Sequence, residues 1–433
     1  MTATAFADVD ASLKEIYSED HRKSLAYVDN VLLATVGKEQ SGGDYFVQAV
    51  RTRAPGGSSA TYSKAKANNT ASKMFKMNIS RADLYQRVAI NLNLFTAAKK
   101  SAESIYQITK EFDDGMKELG SKIERRLYRG KSGKIGQVAS TTTVTGTTIV
   151  LTDKADAFNF QPGDKLNFST ADGGGAVRTG GTLSGILTVL SVDEQAGTVT
   201  TAGANMSTEA GLATGDYIFQ DGDYDACPNG LEDWLPVDSR TTKLAASFNG
   251  LTRSQDPNRL GGIYVDGTAV SGDLNDIALK LAGDMSKYGA KPELWILPTD
   301  QLTVLQQIWL AARIPYTPIT VSASERMADG SILKISEIAS GMSAQVGPYR
   351  MKVIGTRHCP SNRMYMLEPS TWTLRYTGGG VPFFATEEIE GSIMRLDTSG
   401  STAPEVEAWL AAFCNLGCEA PGRNGVAKLP TAA

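Results

Sequence analysis

The stretch TAAKKSAESIYQITKEFDDGMKELGSKIERRLY, residues 96–128, decides the fold. Within it Ile105, Ile108, Phe112, Met116, Leu119, Ile123 and Leu127 recur at steps of three and four, the spacing that lines them along one face of an α-helix. At 1.5 Å per residue such a helix runs for roughly 50 Å, and Gly130 supplies the stop. The remaining positions are charged (Lys110, Glu111, Asp113, Asp114, Lys117, Glu118, Lys122, Glu124, Arg125, Arg126), which predicts one packed face and one wet face. A sheet beneath the helix suits that stripe. A coiled coil is the competing reading, but the stripe covers only about three heptads and no second long helix matches it.

Upstream, residues 1–44 read as an arm with a short amphipathic helix carrying Leu13, Ile16, Leu25, Val28 and Leu32. Two extended stretches follow, YFVQAVRTR and SKMFKMNIS, around the tip APGGSSATYSKAKANNT, so residues 45–80 form a long hairpin. The hairpin carries Arg51, Arg53, Lys64, Lys66, Lys73 and Lys76 with no acidic residue between Tyr45 and Lys76. That imbalance suits a solvated loop or a weak nucleic-acid contact, or else an arm reaching onto an acidic surface of a neighbouring subunit, which we take as its use.

Downstream, the spine helix and its surroundings occupy residues 81–136, and composition turns rich in Thr, Gly and Ser over 137–225. Strand-like runs there (Thr142–Leu151, Lys165–Phe168, Ile186–Val192, Thr198–Thr201, Asp216–Phe219) are separated by turns, which predicts an inserted all-β barrel or sandwich. Beyond it the chain returns to mixed α and β. A helix is expected from Leu274 to Tyr288, a buried strand from Glu293 to Leu297, and a helix from Pro298 through Trp309. Strands follow at Tyr349–Thr356, Arg363–Leu367 and Trp372–Tyr376. The fold class is therefore α+β, a sheet with helices on its faces plus a β insertion.

With 433 residues, 41% hydrophobic, the chain is long enough for several cores, and a formal net charge of −4 gives no general attraction to nucleic acid or anionic membrane. The N-terminus lacks a secretory signal and no apolar run approaches a membrane span, so a soluble protein made in the cytoplasm is expected. Cys227, Cys359, Cys414 and Cys418 are too scattered for a disulfide framework and read as buried thiols.

Two histidines, His21 and His358, exclude catalysis or metal binding built on several histidines, and no phosphate-loop, dinucleotide or nucleophile-elbow motif occurs. No cofactor is expected. His358-Cys359 reads as a strand-end pair before Pro360, and Cys414 with Cys418 as an i, i+4 pair on a helix without further ligands. One constellation is sharper. Asp221, Asp223, Asp225 and Glu232 stand at positions 1, 3, 5 and 12 of a calcium-loop pattern, although Ala226 replaces the usual glycine and Pro228 follows. The alternative is an acidic surface turn.

The order of parts (acidic arm, basic hairpin, long helix, then helix-strand-helix and more strands) resembles the major capsid proteins of tailed phages, the Hong Kong ninety-seven type. The stretch GLEDWLPVDSR with FNGLTRSQDPNRLGGIYVDG, Phe248–Gly267, is similar to that family's linker into its axial domain. GAKPELWILP, residues 289–298, resembles its helix-strand-helix passage, and NLGCEAP, residues 415–421, its closing strand. The resemblance implies an N-terminal arm and extended loop that embrace neighbours, a spine helix across a peripheral sheet, and an axial domain. Linker and peripheral residues would span 226–267, the axial domain 268–360, and remaining strands 361–433.

What this implies is a non-enzymatic shell protein. It would assemble with itself into pentamers and hexamers of an icosahedral virion head, with portal, scaffold and decoration proteins as partners, enclosing DNA without sequence-specific binding and without membrane contact. An encapsulin shares the implied fold and is the nearest alternative. A β-rich surface binding protein would explain the Thr/Gly-rich middle, but predicts a signal peptide and no spine helix.

Overall fold

The structure, a computed structural model, describes residues 30–43, 45–91, 102–140, 144–203, 205–314, 317–326, 332–377, 384–385, 394–397 and 405–430. The helix expected over Leu13–Val28 lies outside them. What is described of the arm begins with a single helical turn, Val31–Thr35, whose Val31, Leu32 and Leu33 are buried.

The spine helix runs over Ala102–Arg129, 28 residues and about 42 Å long. It crosses a six-stranded sheet built around the strand Glu405–Cys418. Ala82–Asn91 pairs antiparallel along one edge of that strand, from Asn91 opposite Glu405 to Ala82 opposite Cys414. Met394–Asp397, Phe384–Ala385 and Trp372–Tyr376 share its other edge, and Gly37–Gln40 pairs parallel to Trp372–Tyr376. Gly115 marks the close approach of helix and sheet: a Cβ there would sit 2.7 Å from Val88 Cγ2. Cys414 and Cys418 thus lie on a strand and not on a helix. Their separation of four is even, so in a strand both point to one side, and both are buried.

A second sheet has seven strands in the order Ile263–Asp266, Gly425–Lys428, Arg363–Leu367, Leu294–Pro298, Tyr349–Thr356, Ile332–Val346 and Thr317–Arg326. Alternation along its central strands divides their side chains between two cores. Trp295, Leu297, Val353, Met364 and Met366 face the helices Leu274–Ser286 and Thr299–Ala311. Leu294, Ile296, Ile354, Tyr365 and Leu367 join Leu119, Ile123 and Leu127 of the spine helix in the main core. A sheet buried on both faces reads as a continuous apolar run, which is why Leu294–Pro298 is buried at every position.

The Thr/Gly-rich segment forms a separate six-stranded sheet: Lys134–Gln137, Tyr217–Gln220, Lys165–Ser169, Leu187–Asp193, Thr198–Thr201, Thr148–Val150. A bridge between Val138 and Leu151 joins the first strand's end to the last, closing the sheet into a small barrel. Ile135, Ile149, Leu166, Phe168, Val189, Val199 and Ile218 fill it.

Candidate assembly surface

The strands Tyr45–Arg53 and Lys73–Ser80 pair antiparallel from Tyr45 opposite Ser80 to Arg53 opposite Lys73. Along the first strand burial alternates strictly. Phe46, Gln48, Val50 and Thr52 face the body together with Met77 and Ile79 of the second, while Tyr45, Val47, Ala49, Arg51 and Arg53 are exposed. The root is fixed by polar contacts as well. Arg259 Nη1 donates to Thr52 O at 2.5 Å, Asn78 N donates to Asn249 O at 3.0 Å, and Asn415 Nδ2 donates to Ser80 O.

The tip carries a short helix, Tyr62–Ala67, which exposes Tyr62, Lys64 and Lys66 beside an open cavity of about 490 Å³ lined by Pro55, Gly57, Tyr62, Lys66 and Asn69. Arg53 Nη2 donates to Thr70 Oγ1 at 2.8 Å, closing the neck of the tip. Lys73 Nζ stands 4.8 Å from the Phe75 ring centre and 3.4 Å from Gln255 Oε1. Among the described residues none of the six cations, Arg51, Arg53, Lys64, Lys66, Lys73 or Lys76, is ion-paired. Six positive charges on one arm without a local counter-charge repel one another, and an acidic surface brought against them would relieve that.

A second polar assembly sits at the end of the spine helix, and here the expectation of a wet face fails. Glu124, Arg125, Arg126 and Arg129 are all buried. The Glu124 carboxylate accepts from Leu32 N at 2.6 Å and Leu33 N at 2.9 Å, fastening the arm's helical turn to the spine. Arg125 Nη1 donates to Asn159 O at 2.6 Å, Arg126 holds both carboxylate oxygens of Asp223, and Arg129 pairs with Asp156. These three arginines clamp the barrel to the body. The charges are tolerable in the interior because each has a partner placed by another element.

The calcium-loop residues do not come together. Asp221 accepts from Asn167 Nδ2 at 2.7 Å, Asp223 is held by Arg126, and Asp225, at φ +55°, accepts from Gly174 N at 2.7 Å. Glu232 is buried beneath Arg363 at 3.1 Å, Lys243 at 3.5 Å and Lys134 at 3.7 Å. Burial opposes its ionisation, but those cations outweigh burial and hold its carboxyl well below the usual range. Among the described residues no group of three or more histidine, cysteine or carboxylate side chains is placed to hold a metal ion.

Next to Glu232, Asp233 accepts from Gly230 N and Lys131 N, yet burial pushes its carboxyl up to about 6. Cys359 and His358 are both buried, and burial pushes the Cys359 thiol up to about 12, far from a thiolate nucleophile. Cys227 and Cys414 are pushed up to about 12 for the same reason.

A long helix across a sheet, a projecting hairpin, and a second sheet covered by helices define the class: the fold of the tailed-phage major capsid proteins, as the sequence resemblance implied. The chain overlays on the Cyanophage A-1(L) capsid asymmetric unit with a TM-score of 0.51 and 12% identity, over 97% of this chain and 98% of that one. More distant overlays are with the capsid of a native GTA particle (TM-score 0.44, 11% identity, 100% of both chains) and with the SrpI encapsulin of Synechococcus elongatus (TM-score 0.41, 8% identity, 98% of both chains). No family model and no curated protein matches the sequence.

Proposed function

We propose that the chain is the major capsid protein of a tailed phage, assembling through repeated self-contacts into an icosahedral shell around double-stranded DNA. The observation that carries this reading is the hairpin: in a capsid fold, it presents an exposed, acid-free, six-cation surface with no carboxylate partner among the described residues. A shell subunit is held by extended surfaces repeated under symmetry, not by one deep pocket. The net charge of −4 avoids gripping the enclosed nucleic acid, whose phosphates bind basic linings strongly. The neutral, buried thiols supply no nucleophile, in keeping with a structural role. Scaffold, portal and decoration proteins are the expected partners, and the virion is the expected location.

Negative-stain electron microscopy of the protein expressed alone and with its neighbouring genes tests the reading. Closed shells or rings of five and six subunits are expected, and a persistent monomer in every condition overturns it. Recovery of shells filled with a protein cargo and free of DNA would favour the encapsulin alternative. Replacing Arg51 and Arg53 by Glu impairs assembly without unfolding the monomer, because both side chains are exposed and the one side-chain bond lost between them and another residue, Arg53 to Thr70, lies within the tip. Normal shells from that variant refute the role given to the hairpin.

A further inference from the structure

The net charge of −4 hides a separation of charge along the chain. Residues 45–80 carry six cations and no carboxylate, whereas residues 137–225 carry eleven carboxylates against Lys154, Lys165 and Arg178. Four of the eleven pair within the subunit: Asp156 with Arg129, Asp223 with Arg126, Asp172 with Lys134 and Asp216 with Arg178. Among the described residues Asp164, Asp193, Glu194 and Asp221 have no ion-pair partner, and the last three are exposed.

The barrel's strand pairing gathers these four at one rim. Neighbouring strands alternate in direction, so the start of Lys165–Ser169, the end of Leu187–Asp193 and the end of Tyr217–Gln220 fall on the same side. Asp164 precedes the first strand, Asp193 and Glu194 end and follow the second, and Asp221 follows the third. Two aliphatic side chains are bared beside them: Val150, opposite Thr198 at the same rim, and Leu190. The hairpin is the opposite in charge and alike in texture. No residue of its tip, 54–72, is buried, so the tip has no seat on its own subunit, and it shows Tyr62, 84% exposed, next to Lys64 and Lys66.

We propose that this acidic rim of the barrel receives the hairpin tip of a second copy of the chain. The inference rests on the shell reading and names the surface that the hairpin reaches. The two surfaces differ, so each copy gives one hairpin and takes another, a head-to-tail contact whose repetition can close a ring. Either surface meeting its own kind across a two-fold axis would set like charges together, at a cost that the mixed pairing avoids. Tyr62 on one side and Val150 with Leu190 on the other supply the uncharged part of the contact.

Light scattering coupled to size exclusion, comparing monomer with assembled protein at a fixed concentration, decides it. Glu194→Lys with Asp221→Lys lowers the assembled fraction by about tenfold or more, the ratio that one close charge pair is worth. Adding Lys64→Glu and Lys66→Glu to that variant restores assembly. Glu194→Gln with Asp221→Asn, which keeps the size of both side chains, gives an intermediate loss with an unchanged monomer melting temperature. Carbodiimide, which joins amines to carboxylates in contact, links Lys64 or Lys66 of an isotope-labelled copy to Glu194 or Asp221 of an unlabelled one. Full assembly by the Glu194→Lys, Asp221→Lys variant, no restoration by the exchange of charge, or links from the tip only to carboxylates outside the barrel overturns the proposal and leaves the hairpin's own role, tested through Arg51 and Arg53, standing. Wild-type protein that never assembles instead sinks the shell reading itself.

Discussion

His358 is buried, 3.4 Å from Ser121 Oγ, and surrounded by the positive charges of Arg357, Arg125 and Arg129. Burial first, and those charges second, hold its imidazole well below 6.5, so the folded protein keeps it neutral while the unfolded chain protonates it as pH falls. Its stabilising contribution is present above pH 6.5 and is lost on acidification. Between pH 7.5 and 5 the wild type therefore loses stability relative to His358→Gln, measured as the difference between their denaturant unfolding free energies. A pH-independent difference refutes this. Gly130 is the other decisive single position: at φ +85° it ends the spine helix, and a Cβ would lie 2.4 Å from Asp233 Oδ2. Gly130→Ala costs about 2 kcal/mol or more, from left-handed strain plus displacement of a half-buried, hydrogen-bonded carboxylate. Chemical denaturation reads that loss directly.

At the scale of elements, the short helix Leu231–Trp234 is tied to the strand Arg363–Leu367 by Glu232 and Arg363, whose side chains are each 3% exposed. Glu232→Gln leaves Arg363 with Asp238 alone and costs about 2–3 kcal/mol, less than a fully stranded buried charge. Adding Arg363→Met recovers part of the loss; no recovery would show that the pair stabilises beyond neutralising itself. The same pair explains what sequence reading reached and what it missed. The spine helix, the strands Tyr349–Thr356, Arg363–Leu367 and Trp372–Tyr376, and the charge of the hairpin are local signals, written in periodicity and composition over ten to thirty residues. The buried arginines are not local. Arg126 and Asp223 are 97 residues apart, and until the fold joins them a run of charge on a helix reads as a solvated face. The same distance effect made an evenly spaced acidic run resemble a metal loop, when each carboxylate belongs to a different partner.

For the whole molecule, the described residues form three cores: the main core on the spine helix, a second under the two outer helices, and a third inside the barrel. The barrel's incoming and outgoing strands lie side by side, with Asp225 N donating to Ser132 O at 3.2 Å and Cys227 N to Lys131 O at 3.3 Å. In genetic terms the barrel is a cassette. A short peptide joining Lys131 to Cys227 would bridge the excision, and Asn159, Asp223 and Asp156, the partners of Arg125, Arg126 and Arg129, would leave with the barrel. Lineages could acquire or discard such a unit in one recombination event without redrawing the rest of the subunit, and the gene offers the engineer the same two cut points for replacing it.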